Sequence, residues 1–326
     1  MTKPLASLSL DLDNQWSYMK AEGIAGWEDY PSYLDQLVPV ILKTLQAHDL
    51  RSTFFIVGRD AADARNASAL RALADAEHDI GNHSYHHDPK LACITTEEAR
   101  AELQDAHTAI TSATEREPSG FRAPSFALSR ALLEAVADMG YAYDASTLPS
   151  VVGPLARAYH FSTSKMPKEL REERKHVFGT VADGLRSLRS YRWQVDKGSL
   201  LEVPVTTFPV LRVPIHMTYL TFLAARSSRV ARTYFTSALT ACKMAKLNPS
   251  FLLHPLDFIG ADELPELANF PGMAMPTAQK LAFVAEVLEA LSERFHVTTM
   301  NEHAQLAAAQ CAGKRQRIPT FTVDVG

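Results

Sequence analysis

Three histidines stand within five residues in the segment His83-Ser-Tyr-His-His87, which an aspartate follows. His83 and His87 are four residues apart, so a helical turn would place both imidazoles on one side and His86 on another. Two imidazoles and one carboxylate, with a fourth position open to water, are typical of a hydrolytic metal site. A polar surface loop is the alternative, and three histidines directly after a predicted strand make it the less favoured one.

Asp11 and Asp13 alternate in the segment Ser9-Leu-Asp-Leu-Asp-Asn14, so in a regular strand they would share a face. One carboxylate could bind a metal ion while the other accepts a proton. A helix N-cap or a turn is the alternative for this pair, because Asn14 follows directly. Taken without the histidines, that alternative would be at least as good.

Three more titratable residues stand at the ends of predicted strands. Arg122, in Phe-Arg-Ala-Pro-Ser, could hold a carboxylate by a bidentate contact, although a surface arginine is the commoner case. His254 ends the apolar run Phe-Leu-Leu-His, where a core histidine is the alternative. Asp144 follows Tyr-Ala-Tyr and could pair with a neighbouring arginine or histidine, or serve in a turn.

Strand and helix patterns alternate along most of the chain, which predicts repeated βα units and parallel strands. The patterns predict strands over 5–11, 53–57, 79–82, 119–122, 141–144, 199–203, 251–254 and 297–300. They predict helices over 33–48, 69–76, 95–110, 129–139, part of 217–246, 276–295 and 302–311. Because the carboxyl ends of parallel strands meet on one face, we expect the residues above to converge there.

One domain over 1–326 is expected, with an irregular polar insertion at about 150–199. The charge run at 168–175 in that insertion is interpreted as a solvated loop or a short exposed helix. The segment 203–234 mixes apolar and aromatic residues with four arginines. An ordinary helix with arginines on its solvent side is favoured there, and contact with a membrane surface is the less favoured alternative.

Composition excludes several classes of protein. Lys+Arg is 33 against Asp+Glu 37, a formal net charge of −4, and a general nucleic-acid binder would need a basic excess. The three cysteines, Cys93, Cys242 and Cys311, form neither a disulfide framework nor a Cys-x-x-Cys metal site. Asp11 and Asp13 interrupt the apolar N-terminus, so neither a secretory signal nor a membrane span is expected. A cytoplasmic location is the corresponding expectation.

Five short segments in this order resemble the polysaccharide deacetylase family of metal-dependent carbohydrate esterases. They are SLDLDN at 9–14, HSYHH at 83–87, FRAPSF at 121–126, YDASTLPS at 143–150 and LLHP at 252–255. The resemblance covers about residues 5–300. It implies a distorted (β/α) barrel, usually of seven strands, and a divalent metal that is commonly zinc.

By position, the resemblance implies that Asp13, His83 and His87 bind the metal. It further implies that Asp11 is the general base held by Arg122, and that His254 is the general acid. Two departures stand out: Leu12 separates the usually adjacent acids, and Ser125-Phe126 replaces the usual aromatic and glycine after the arginine motif. The first bears on the two aspartate roles and the second on substrate specificity.

The expected function is removal of an N-acetyl group from an amino sugar or glycan by a metal-activated water. The expected partner is an N-acylated sugar substrate, and the oligomeric state is left open. A deformylase or a cyclic amide hydrolase on the same scaffold is one alternative. A non-catalytic barrel that binds glycans is another, and the presence of all six implied site residues argues against it.

Overall fold

The computed structural model describes residues 3–153, 181–319 and 321, so the charge run at 168–175 lies outside the described residues. These described residues form seven strands: β1 (Leu5–Leu12), β2 (Thr53–Ile56), β3 (Asp79–Asn82), β4 (Tyr191–Val195), β5 (Gly198–Glu202), β6 (Ser250–Leu253) and β7 (His296–Thr298). Each predicted strand outside 119–122 and 141–144 is present to within two residues at either end. Their apolar, β-branched and aromatic residues favour strands.

The main sheet is parallel and has the order β3-β2-β1-β6, with β7 also paired to β1. The register places Ser9 of β1 opposite Thr53 of β2 and Leu252 of β6. β1 is therefore central, and seven of its eight residues are buried. Burial on both faces is typical of a parallel strand covered by helices.

Single-residue parallel bridges continue this sheet beyond β3. Asn82 pairs with Phe121, Phe121 with Asp144, and Asp144 with Glu202 at the end of β5. The backbone N–H of Thr206 then donates to the carbonyl of Ser250 in β6 at 3.0 Å. The predicted α/β class with parallel strands is confirmed. Among the described residues the regular strand ladder does not close, and its ends are joined by single bridges and backbone hydrogen bonds.

The predicted strands at 119–122 and 141–144 are shorter than expected. In each of these segments a single residue forms isolated β-bridges to its neighbours, Phe121 in the first and Asp144 in the second. Pro118 and Pro124 bound the first of them, and proline has no N–H to extend a ladder. Both segments still carry their functional side chains to the same edge as β1 and β3.

Helices cover the outside of the sheet. They are α1 (Gln15–Glu22), α2 (Leu34–Ala47), α3 (Gly58–Ala62), α4 (Ala67–Asp75), α5 (Thr96–Thr114), α6 (Arg130–Asp138), α7 (Val181–Gly184), α8 (Met217–Met244), α9 (Thr277–Arg294) and α10 (Met300–Cys311). The predicted start of α5 is confirmed by a capping box between Thr95 and Glu98. The short helices α1 and α3 were not predicted, because neither has room for an apolar stripe.

The irregular insertion was predicted to continue to about residue 199, but regular structure already begins at Tyr191. Residues Tyr191–Val195 form β4, which pairs antiparallel with β5, Tyr191 lying opposite Glu202. The alternation Tyr-Arg-Trp-Gln-Val buries every second residue, the period expected of a strand. Gly198, with φ at 133°, ends the turn between the two strands.

Helix α8 lies in the segment for which membrane contact was the less favoured alternative. Its buried side chains, Met217 and Phe235 among them, belong to the main core, and its backbone is non-helical at Ser227. Across the part of the chain that the structure describes, no helix combines the length and apolarity that crossing a bilayer requires. Contact with a membrane surface stays untested.

Candidate active site

One carboxylate and two imidazoles converge at the carboxyl edge of the sheet. Asp13 follows β1, and its Oδ1 lies 2.9 Å from Nε2 of His87 and 3.4 Å from Nε2 of His83. One potential ligand atom from each residue lies within 4.8 Å of the other two. This is the spacing of atoms that could share one metal ion.

The loop after β3 brings the two histidines together without a helix. Ser84 and His87 adopt left-handed backbone conformations, with φ at 62° and 48°, so the segment does not form the helical turn considered for the spacing of four residues. The N–H of Ser84 donates to Oδ1 of Asn82 at 2.8 Å, and the N–H of His87 donates to Oγ of Ser84 at 3.2 Å. These local hydrogen bonds give the loop its shape.

His86 points away from the other two histidines, as predicted. Its Nδ1 lies 2.7 Å from Oε2 of Glu102, and its side chain is 59% exposed. Oε1 of Glu102 also accepts from the backbone N–H of Tyr85 and of His86. Glu102 therefore anchors the loop from helix α5.

The contacts of His83 fix which ring nitrogen is free to bind a metal. Its Nδ1 lies 2.7 Å from the carbonyl oxygen of Arg122. A carbonyl only accepts, so Nδ1 carries a hydrogen, and Nε2, which faces Asp13, is the nitrogen that would bind a metal once it is deprotonated. The donor set of two imidazole nitrogens and one carboxylate oxygen thus fits a divalent metal such as zinc.

The pKa of Asp13 is set by opposing effects. Burial alone would raise it, but the charge of His87 and hydrogen bonds with His83 and His87 outweigh burial. The pKa therefore lies below its usual range. At neutral pH the carboxylate is ionised, which is the form that binds a cation.

Asp11 faces a different partner. Nη1 of Arg122 lies 2.7 Å from Oδ1 of Asp11 and 3.0 Å from Oγ of Ser9, while Nε donates to the carbonyl of Ala145 at 3.0 Å. The guanidinium also packs 4.3 Å from the centroid of the Phe55 ring. Arg122 therefore contacts Asp11 through one nitrogen and not by the bidentate contact considered from the sequence: Nη1 is shared with Ser9, Nε donates to Ala145, and Nη2 has no hydrogen-bond partner among the described residues.

His254 approaches Asp11 from the end of β6. Its Nε2 lies 3.9 Å from Oδ2 of Asp11, and its Nδ1 lies 2.9 Å from Oγ1 of Thr218. The backbone N–H of His254 donates to Oδ2 of Asp257 at 2.7 Å. The side chain is 20% exposed, so His254 opens to the solvent side rather than filling the core.

His216 is a second imidazole near His254, with ring centroids 6.0 Å apart. Burial, with a smaller contribution from the charge of His254, lowers the pKa of His216 to about 3. It is therefore neutral near pH 7. No sequence pattern singles it out, since it lies in the irregular stretch before α8.

Asp144 does not make the expected pair. Oγ of Ser146 donates to its Oδ1 at 2.5 Å, and within the described residues it makes no ion pair with an arginine or a histidine. Burial raises the pKa of Asp144 and of Glu202, the acid it bridges at the end of β5. Asp144 is fully buried, so it supports the site from within rather than facing a substrate.

The sequence analysis missed several residues that support this site. Glu202 ends a predicted strand, the same feature that singled out Asp11 and His254, and could have been found by it. Asp257 stands three residues after His254, the spacing of a capping box. Thr218, by contrast, reaches His254 from a distant helix, and no local pattern marks it.

This chain is similar to a protein family, to a solved structure and to several curated proteins. The family described as polysaccharide deacetylase matches residues 25–143. A solved structure of a Mycobacterium smegmatis protein assigned to the polysaccharide deacetylases covers 99% of this chain and 96% of its own, with a TM-score of 0.60 and 19% identity. At 19% identity this similarity shows that the two proteins share a fold.

Over residues 25–143 the chain is similar to the polysaccharide deacetylase family. The matched segment includes His83, His87 and Arg122, whereas Asp11, Asp13 and His254 lie outside it. The site therefore joins residues within the matched segment to residues on both sides of it.

Two curated relatives cover shorter stretches. The peptidoglycan-N-acetylglucosamine deacetylase of Bacillus cereus is 35% identical over 86 residues, 26% of this chain and 30% of its own. The peptidoglycan-N-acetylmuramic acid deacetylase PdaA of Bacillus subtilis is 28% identical over 110 residues, 33% of this chain and 41% of its own. This chain thus spans less than half the length of the curated relatives it matches.

Proposed function

We propose that this protein is a metal-dependent hydrolase that removes an N-acetyl group from an amino sugar or glycan. The observation that carries the proposal is the convergence of two sets of groups at one edge of the sheet. The first is a potential metal-ligand set, and the second is a carboxylate–imidazole pair. The relatives named above, which are deacetylases of peptidoglycan, support the choice of reaction and substrate class.

In this proposal Asp13, His83 and His87 hold the metal ion, and zinc suits their nitrogen and oxygen donors. Such an ion lowers the pKa of water and polarises the carbonyl of an amide. The contact between His83 and the Arg122 carbonyl orients one imidazole for this task. A ligating histidine usually has such a partner on its other ring nitrogen.

Asp11 is the general base of the proposal. Its Oδ1 is held by Arg122, so Oδ2 is the oxygen left to accept a proton from the attacking water. His254 is the general acid, since its Nε2 lies near Oδ2 of Asp11 and its ring is partly exposed. When protonated it would donate to the nitrogen of the leaving amine, which is a poor leaving group without that proton.

Release of acetate and of formate from a panel of N-acyl sugars, polymeric and lipid-linked, tests the proposal. We expect acetate release that a chelator abolishes and added zinc restores. His83→Ala should be inactive. His86→Ala is the matched control and should retain activity, because that side chain points away from Asp13.

Other results would replace the proposal. Formate release alone would favour a deformylase on the same scaffold. Glycan binding without any hydrolysis, in protein that holds its metal, would favour a non-catalytic barrel. The cytoplasmic location expected from the sequence stays a prediction.

A further inference from the structure

Two buried acids, Asp144 and Glu202, lie side by side where the sheet continues beyond β3. They form a parallel bridge. The N–H of Asp144 donates to the carbonyl of Leu201 at 2.8 Å, and the N–H of Val203 donates to the carbonyl of Asp144 at 2.9 Å. Both acid side chains are fully buried. The bridge therefore brings two carboxyl groups together in the interior of the protein.

The hydrogen bonds of the two acids leave one oxygen without a donor. Oε1 of Glu202 accepts from the backbone N–H and from Oγ1 of Thr147, at 3.1 and 2.6 Å, and its Oε2 accepts from Nε1 of Trp193 at 2.9 Å. Oγ of Ser146 donates to Oδ1 of Asp144 at 2.5 Å, while Oδ2 receives no hydrogen bond from a donor among the described residues. The two carboxyl groups are themselves in hydrogen-bond contact. One of them must supply the hydrogen for that contact, because ionised carboxylates only accept.

The surroundings of the two acids favour one negative charge over two. Burial raises the pKa of Asp144 more than the nearby charge of Arg122 lowers it, and Arg122 is already paired with Asp11. Burial and then the charge of Asp144 raise the pKa of Glu202. Tyr191, opposite Glu202 on β4, is neutral, since burial raises its pKa well above the usual value. Adjacent buried carboxyl groups in such a setting hold one proton between them.

Ser146 joins the two acids to Arg122. Its Oγ donates to Asp144 and accepts from the backbone N–H of Ala123 at 2.8 Å. One residue earlier in the chain, the carbonyl of Ala145 accepts from Nε of Arg122 at 3.0 Å. The segment that follows Asp144 therefore contacts both the backbone next to Arg122 and its guanidinium.

We propose that Asp144 and Glu202 share one proton and form a positioning pair that holds Arg122, and through it Asp11, in place. This inference rests on the proposed function, in which Asp11 is the general base. The shared hydrogen bond ties the segment after Asp144 to the end of β5. Both acids are buried, so they act through Arg122 rather than on the substrate.

Infrared spectroscopy of the purified protein tests the shared proton. A protonated carboxylic acid has a carbonyl stretching band that an ionised carboxylate lacks. Measurement at about pH 9 avoids the proton of Asp60, whose pKa burial raises to about 7. The proteins to compare are the wild type, Asp144→Asn and Glu202→Gln, because each amide removes one ionisable group with little change in shape. Bands from other acids are common to all three.

We expect a band in the wild type that is missing from both variants. In each variant the remaining acid keeps hydrogen-bond donors and no longer faces a second charge, so it ionises. A proton that belonged to one acid alone would give a band that persists in one variant. Such a band, or the absence of any difference between the three proteins, would overturn the inference.

Ser146→Ala tests whether the pair positions Arg122. It breaks the link from Asp144 to the N–H of Ala123 and leaves both acids in place. The kcat for acetate release should fall by roughly tenfold, the kinetic worth of one hydrogen bond. KM, metal content and the infrared band should stay as in the wild type, which a general disturbance of the fold would not allow.

Ser150→Ala is the matched control for this serine. Ser150 is also buried and lies in the same segment, but its Oγ accepts from the N–H of Val152 at 3.3 Å. The control should match the wild type in kcat. A kcat in Ser146→Ala equal to that of the control would overturn the positioning role.

The infrared measurement needs no substrate, so this inference and the proposed function can fail separately. The expected bands in protein that releases no acetate would keep the shared proton and reject both the proposed function and the positioning role. Acetate release by wild-type protein that lacks the band would keep the proposed function and reject the shared proton.

Discussion

Nη1 of Arg122 lies 2.7 Å from Oδ1 of Asp11, and the arginine side chain is fully buried. An unpaired buried charge would be strongly destabilising, so each group depends on the other. The same nitrogen also donates to Ser9, and Nε donates to the carbonyl of Ala145. The arginine therefore fixes one oxygen of Asp11 and leaves the other to face His254.

Arg122→Lys should reduce turnover by roughly 100-fold, the effect of a misplaced reacting group. A lysine amine cannot reach Asp11, Ser9 and the Ala145 carbonyl at once. Metal content should stay near that of the wild type, because Asp13 and the two histidines are unchanged. Steady-state kinetics and elemental analysis check both expectations.

Arg229→Lys, at an exposed position on α8, is the control for the arginine variant. It should behave like the wild type. Unchanged turnover in Arg122→Lys would show that Asp11 does not need the arginine to hold its position.

Thr218→Val should impair proton donation by His254. Oγ1 of Thr218 lies 2.9 Å from Nδ1 of that histidine, and valine keeps the shape while it removes the hydrogen bond. Turnover of an amide substrate should fall by roughly tenfold, the worth of one hydrogen bond. An activated ester, whose leaving group needs little protonation, should be spared.

The control for this threonine is Thr233→Val, at an exposed position of the same helix. It should leave both substrates unaffected. Equal losses on amide and ester in Thr218→Val would instead indicate a general disturbance of the site.

Asp60 should make the stability of the fold depend on pH. Burial raises its pKa from 3.8 to about 7, despite hydrogen bonds from Asn14 and Trp16 that lower it. Because the folded state holds this proton more tightly than the unfolded state does, the resulting stabilisation is complete below about pH 4. It is lost as the pH rises through about 7.

Between about pH 5 and pH 8 the wild type should therefore lose about 2–3 kcal/mol more unfolding free energy than Asp60→Asn. Urea denaturation of both proteins at the two pH values measures this difference. Effects of pH on the metal ligands act on both proteins and cancel in the comparison. Parallel pH dependences would show that the carboxyl group of Asp60 titrates normally.

The convergence of the site could be predicted from the sequence because parallel strands impose it. Asp11, His83 and His254 each stand at or just beyond the end of an apolar run, and such ends meet at one edge of the sheet. The acid Glu202 satisfies the same rule and was overlooked. Strand periodicity is local, so it can be recognised without knowledge of the folded chain.

Other features depend on contacts between distant residues or on unusual backbone. The histidines meet through left-handed conformations at Ser84 and His87, which asparagine or glycine would have suggested but serine and histidine do not. The pKa of Asp60 is raised by its burial in the folded chain, which no local pattern marks. Thr218 reaches His254 only after α8 packs against the sheet.

The separate roles of Asp11 and Asp13 are the central claim, and metal content measured beside turnover tests it most directly. Asp13→Asn should lose both metal and activity, since a neutral amide oxygen is a poorer ligand for a divalent cation. Asp11→Asn should keep its metal and lose activity by roughly 100- to 10,000-fold, the worth of a general base. A metal-free Asp11→Asn beside a metal-loaded Asp13→Asn would contradict the account.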